Sequence, residues 1–247
     1  MLKSRAMKVF IGTSGYNYKA WKGPFYPEDI PQKKWMEFYS GQFPTVEIDA
    51  TFYRSFPRHI YTKWAGLTPD DFVFSIKGSR YITHRSRLNI GKDSIDMFFD
   101  AAAGLGMKFG PALWQFPPLF KNTKENMSRL KNFFNMLPHE SKNAFEFRDE
   151  SWFVDQTYEL LNKYNVGFVI NDSGKIPSKE IITGNFVYIR FHGPGALYAS
   201  EYTTEQLREW AQKIKNYQKK YDVFAYFNND VKAYAPMNAE LLKELLA

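Results

Sequence analysis

The sequence predicts a single closed (β/α)8 TIM-type barrel, and three observations carry that prediction. Eight short runs rich in β-branched and aromatic residues recur with starts roughly 20 to 40 residues apart, the spacing of βα units in a parallel sheet. Most of the segments between them place apolar residues three and four apart behind a proline or a capping residue, the pattern of amphipathic helices. The 247 residues run without a linker or a low-complexity tract, and one α/β barrel takes about 250. No internal repeat is visible as identities, so the rhythm alone carries the fold. An open doubly wound sheet, or a barrel with one strand miscounted, are the alternatives.

In chain order, Lys8–Thr13 (KVFIGT) is the first strand-like run. Pro31–Gly41 follows as a helix, opened by proline and with Trp35, Phe38 and Tyr39 on one face. Thr45–Thr51 (TVEIDAT) is the second strand, and Pro57–Gly66, again opened by proline, the second helix. Phe72–Lys77 (FVFSIK) leads into Asp93–Gly104, where Asp93 is an N-cap-type residue and Met97, Phe98 and Ala101–Ala103 supply the apolar side. Pro111–Gln115 (PALWQ) precedes a helix over Lys124–Leu137, and Ala144–Arg148 (AFEFR) one over Ser151–Tyr164. After Val166–Asp172 (VGFVIND) comes Ser173–Gly184, too short and too polar for a helix, so the sixth crossover is expected to be degenerate. Phe186–His192 (FVYIRFH) leads into Thr203–Tyr221, whose Leu207, Trp210, Ala211, Ile214, Tyr217 and Tyr221 form a buried stripe. Val223–Asn228 (VFAYFN) and a helix over Asn238–Ala247 close the series.

Composition narrows the chemistry. The absence of cysteine excludes disulfides, thiol nucleophiles, Cys-ligated zinc and iron–sulfur clusters, leaving oxygen and nitrogen groups. No stretch approaches the roughly 18 apolar residues of a membrane helix, and the first seven residues lack the apolar core of a signal peptide, so a cytoplasmic protein with no membrane partner is expected. Residues 1–7 read as a disordered extension with Met7 as an alternative start, and residues 8–247 as one domain. The net charge is +7, and its excess lies in the first three-fifths of the chain. Phe72–Lys92 contains no acid but holds Lys77, Arg80, Arg85, Arg87 and Lys92. Such a run is either a solvated face or a site for an anion: phosphate, nucleic acid or a carboxylate.

Nearly every apolar run ends on a polar side chain: Thr13 and Ser14; Glu47, Asp49 and Thr51; Ser75 and Lys77; Gln115; Glu146 and Arg148; Asp172; Arg190 and His192; Asn228 and Asn229. Strand side chains alternate, so Glu47/Asp49/Thr51, Ser75/Lys77, Glu146/Arg148 and Arg190/His192 each share a face, and in a barrel that face is the lumen. One such pair could simply neutralise itself. The same pattern on all eight strands points to a site at the C-terminal mouth, because a core selected for stability alone would be aliphatic.

The motifs Ile11-Gly12-Thr13-Ser14-Gly15-Tyr16, Thr45-Val46-Glu47-Ile48-Asp49-Ala50-Thr51-Phe52-Tyr53-Arg54, Phe74-Ser75-Ile76-Lys77, Gln115-Phe116-Pro117-Pro118, Glu146-Phe147-Arg148, Arg190-Phe191-His192-Gly193 and Tyr226-Phe227-Asn228-Asn229 resemble the YecE-like family, domain-of-unknown-function family 72. The resemblance covers residues 8–247 and implies a TIM-barrel-like fold; structural analogy links such proteins to endonuclease-like and sugar-isomerase-like barrels, which concerns fold rather than function. Where the family commonly reads Val-Glu-Ile-Asn, this chain has Asp49, a further carboxylate beside Glu47.

A multi-metal site would need several histidines, and the chain has 4, of which only His192 and His84 are placed to serve. Carboxylate oxygens leave room for a single divalent ion, but Lys77, Arg148 and Arg190 in the same mouth argue against it, so no metal and no cofactor is expected. Glu47, Glu146, Asp172 and His192 are the catalytic candidates, with Glu47 and Glu146 facing each other across the lumen as acid and base. Thr13, Asp49, Tyr53, Lys77, Arg80, Gln115, Arg148, Arg190 and Asn228 are the candidates for substrate binding. Phosphate is expected near Gly193-Pro194-Gly195 and, more weakly, at the Gly12–Gly15 turn. The leading expectation is an enzyme performing acid–base or hydrolytic chemistry on a phosphate-bearing small molecule such as a sugar phosphate, or on nucleic acid. The rival is a non-catalytic nucleic-acid-binding barrel that uses the basic loop and the mouth aromatics.

Overall fold

The computed structural model describes residues 6–247, so most of the expected N-terminal extension lies outside the described residues. All eight strands are present: β1 Val9–Thr13, β2 Thr45–Ile48, β3 Val73–Lys77, β4 Phe109–Gln115, β5 Asn143–Glu146, β6 Gly167–Asp172, β7 Phe186–Phe191 and β8 Asp222–Phe227. They pair in parallel in the order β1-β8-β7-β6-β5-β4-β3-β2. The ring closes between β1 and β2 through a bridge of Ser14 with Glu47, where Gly15 N donates to Glu47 O at 2.7 Å.

Among the described residues eight α-helices surround the sheet: α1 Trp35–Gln42, α2 Ala50–Tyr53, α3 Arg58–Gly66, α4 Lys92–Ala102, α5 Lys124–Met136, α6 Asp155–Lys163, α7 Thr204–Tyr217 and α8 Tyr234–Leu246. The sixth crossover, between Asp172 and Phe186, carries none, as its polar sequence predicts. α7 shows why these segments are helical. Thr203 Oγ1 accepts from Gln206 N while Gln206 Oε1 accepts from Thr203 N, closing a capping box, and Leu207, Trp210, Ala211 and Ile214 bury one stripe against the barrel. Among the described residues no helix is long and apolar enough to cross a membrane.

Two strands end two or more residues earlier than their sequence suggests, and both ends matter for the site. β2 stops at Ile48: Asp49 is already αR and leads α2, so Asp49 and Thr51 do not share the strand face of Glu47. β5 stops at Glu146, which frees Arg148 to turn back over its own strand. A π-helical turn at Tyr81–Arg85 was not foreseen; it follows β3 and is succeeded by left-handed residues Arg87 and Leu88, with Leu88 buried as its anchor.

The lumen fills in tiers. Its floor is apolar, with Phe10, Leu113, Phe186 and Phe224 packed together. Tyr188 and Tyr226 form the tier above, their hydroxyls 2.7 Å from Ser75 Oγ and 2.8 Å from Thr45 Oγ1. Intermediate hydroxyls of this kind carry the lumen from a hydrocarbon floor to a charged top without an unpartnered polar atom.

Candidate functional site

Glu47, Glu146 and Arg190, delivered by β2, β5 and β7, meet on the barrel axis, and none has solvent access. Arg190 donates to both oxygens of Glu47, at 2.7 and 3.0 Å, and through Nη1 to Glu146 Oε2 at 2.6 Å. Glu47 also accepts from Ser14 Oγ at 2.5 Å and Tyr188 Oη at 2.7 Å. The second oxygen of Glu146 accepts from Arg148 Nε at 2.7 Å. Burial pushes the Glu146 carboxyl up, but Arg148 and Arg190 outweigh it and hold the group well below the usual carboxylate range. The two carboxylates therefore meet at one guanidinium, which holds them together. Neither has an oxygen free to receive a substrate proton.

His192 completes this layer. Its Nε2 lies 3.0 Å from Asn171 Oδ1 and its Nδ1 3.3 Å from Asn228 Nδ2, contacts that suit a neutral ring protonated on Nε2. Burial and then the charge of Arg190 hold its pKa well below the ordinary value.

Above the layer opens a cavity of about 700 Å³. Lys77, Gln115, Arg148, Asn228 and Asp49 line its base, with His84 from the π-turn and Asp230 from the loop after β8. Lys77 Nζ sits 2.7 Å from Asp49 Oδ1 and 4.5 Å above the Phe52 ring. Burial and the nearby cations Lys77 and Arg148 push His84 down to about 4, leaving it a neutral hydrogen-bonding group at pH 7. Asp230 moves the other way. Burial raises it, the Tyr18 hydroxyl opposes, the charge of Asp49 adds, and the result is about 7. Its Oδ1 is buried with no hydrogen-bond partner, whereas Asp49, the other carboxylate that lines the cavity, is paired with Lys77. Tyr16, Tyr18, Phe52, Tyr53 and Tyr198 form the aromatic walls.

The expected site residues thus sort into four places. Asp49, Tyr53, Lys77, Gln115, Arg148 and Asn228 line the cavity. Glu47, Glu146, Arg190 and His192 lie buried beneath it. Arg80 belongs to an adjoining concavity on the rim. Thr13 and Asp172 face away. Strand alternation sends Ser14 and Asn171 inward, so Thr13 bonds Tyr39 of α1 at 2.9 Å and the Asp172 carboxylate accepts from Trp210 Nε1 of α7. Asp172 and Thr13 thus lie in contacts between sheet and helix rather than among the residues that line the cavity.

The glycine turns are also already engaged. Gly193 N donates to Tyr202 Oη and Gly195 N to Ser200 Oγ, while Gly15 N is held by Glu47 O. Trp21, Tyr26, Phe116 and Trp152, aromatics of the loops and strand ends at this end of the barrel, are fully buried core residues. The residues missed from sequence are Asp230 and Tyr18. Asp230 stands two positions beyond Asn228, a spacing that signals the same side as a lumen residue, but the loop obscures it. Among the described residues no group of three or more His, Asp or Glu side chains stands together as a metal site requires.

The family model described as a protein of unknown function, DUF72, matches residues 10–247. The chain belongs to the DUF72 family. Among its relatives, UPF0759 protein YunF of Bacillus subtilis is 29% identical over 273 residues, covering 96% of this chain and 94% of that protein. UPF0759 protein YecE of Escherichia coli is 24% identical over 226 residues, with 81% of each chain covered. A DUF72 family protein from Thermotoga maritima superposes with a TM-score of 0.89 at 28% identity, over 97% of this chain and 99% of the other. The eight-stranded barrel seen here is thus the DUF72 fold, and Asp49 pairs with Lys77 at the pocket base.

Proposed function

We propose that the mouth cavity is the active site of an enzyme performing acid–base chemistry on a small, hydroxyl-rich, sugar-like molecule. One observation carries the reading: the Asp230 carboxyl lines the same cavity as Lys77 and Arg148 and has one buried oxygen without a hydrogen-bond partner, while Glu47 and Glu146 are held by Arg190. A carboxyl with its pKa near 7 exchanges protons in both directions at neutral pH, which is the requirement for a general acid–base. In this reading Asp230 takes the substrate proton and returns it, and Lys77 and Arg148 stabilise the negative charge that develops on a substrate oxygen. Neutral His84, Gln115 and Asn228 suit hydroxyl groups, and the tyrosine and phenylalanine walls suit the C–H faces of a ring.

The experiment is a panel of free and phosphorylated aldoses incubated with the protein in D2O and followed by proton NMR. Solvent deuterium entering a carbon-bound position, or a new product, is the expected result, and D230N should lower the rate by about 100-fold or more while still binding the sugar. Turnover by D230N at the wild-type rate, or no turnover of any member of the panel, overturns the reading.

A further inference from the structure

Among the described residues, every arginine beyond position 100 has a carboxylate partner: Arg129 with Glu125, Arg148 with Glu146, Arg190 with Glu47 and Glu146, and Arg208 with Glu205. Arg54, Arg80 and Arg85 belong to no ion pair among the described residues, and all three line one concavity of about 550 Å³ on the mouth rim, together with Ser55 and Ser79. Three like charges around one hollow repel one another, and a bound anion is what relieves that repulsion. Guanidinium forks and serine hydroxyls are the donors that suit phosphate oxygens.

The local chain holds these groups in place. Arg80 precedes and Arg85 ends the π-turn, which the left-handed Arg87 and Leu88 and the buried Leu88 side chain lock against the barrel. Arg54 lies with its guanidinium 4.5 Å over the Phe56 ring. Phe52 and Tyr53 line both this concavity and the mouth cavity, so the two hollows adjoin at these rings. The deep cations are less suited to a phosphate, since Lys77, Arg148 and Arg190 are each matched to a carboxylate.

We propose that the rim concavity is a phosphate subsite, in which Arg54, Arg80 and Arg85 hold the phosphoryl group of a substrate whose hydroxyl-bearing part occupies the mouth. This rests on the reading of the mouth as an active site, and adds the class of substrate: a phosphate monoester of a small polyol or sugar.

Calorimetric titration of the full chain with inorganic phosphate, in a chloride buffer of low ionic strength, tests the subsite without any turnover. One phosphate should bind, the R80Q/R85Q double variant should weaken it by about tenfold or more, and R87Q, outside the concavity, should leave it unchanged. These side chains are exposed, so melting temperatures of the variants confirm that folding is intact. D230N should bind phosphate like wild type. No phosphate binding by the wild type, or undiminished binding by the double variant, overturns the subsite. A parallel titration with a 20-nucleotide single-stranded DNA over several salt concentrations covers the polymer: DNA binding with a steep salt slope that the double variant flattens, without binding of inorganic phosphate, overturns the subsite in favour of a nucleic-acid contact. Phosphate binding that the arginines control, combined with no turnover of any sugar phosphate, sustains the anion site and overturns the chemistry assigned to the mouth.

Discussion

Arg190 and Glu47 form a fork-to-fork ion pair without solvent access, with Nη2 2.7 Å from Oε1 and Nε 3.0 Å from Oε2. The pair joins opposite parts of the barrel, and Nη1 extends it to Glu146. Removing one member leaves a buried charge unmatched. Glu47→Gln and Arg190→Met should each destabilise the fold by about 3–5 kcal/mol, measured by urea denaturation. The triple replacement of Glu47, Glu146 and Arg190 by apolar residues of similar volume should recover a large part of that loss. Single variants as stable as wild type would show that the charges are not load-sharing partners.

Asp230 should titrate near neutrality. A carbon-13 carboxyl titration should place its midpoint at about 7. The sign for stability follows from a folded pKa raised above the ordinary aspartate value: its contribution is fully present below about 4 and is lost as pH rises through 7. D230N should lack this decline, so that its stability relative to wild type increases between pH 4 and 7. A midpoint near 4 would remove Asp230 from acid–base work.

His84 titrates in the opposite sense. Its folded pKa, about 4, lies below that of a free imidazole, so its contribution is present above about 6.5 and is lost as pH falls towards 4. The imidazole proton shifts should be flat from pH 6 to 8 and move only in the acid range. A midpoint above 6 would mean a charged group in the cavity and a different ligand chemistry.

Asp172→Ala should leave ligand binding and turnover in the mouth unchanged, because its carboxylate faces Trp210 on α7. The expected cost is one hydrogen bond between sheet and helix, about 1–3 kcal/mol in chemical denaturation. Loss of activity at unchanged stability would return Asp172 to the catalytic candidates.

Thr203→Ala removes one half of the capping box at the start of α7 and should cost about 1 kcal/mol, with no effect on phosphate or sugar binding.

Much of this molecule is legible in the order of its residues. Alternation within Phe186–Phe191 and Asp222–Phe227 marks which side chains face inward, proline and threonine mark helix starts, and the polar Ser173–Gly184 segment announces a crossover without a helix. These are local properties, set by backbone geometry and by the periods of strand and helix. Period-two reading also brought Glu47, Glu146, Arg190 and Lys77 to one lumen. It could not say that a single guanidinium would occupy both glutamates, that β2 would end at Ile48 so that Asp49 meets Lys77, or that Asp230 would reach the cavity from a loop. Nor could it separate the rim arginines from the deep ones by their partners. Each of these depends on which side chains from distant strands meet, and on how much water remains between them. Charge pairing, desolvation and pKa are properties of that meeting, with energies set by distance and surroundings, so the tertiary structure alone decided which carboxyls are held by arginine or lysine and which is raised towards neutrality.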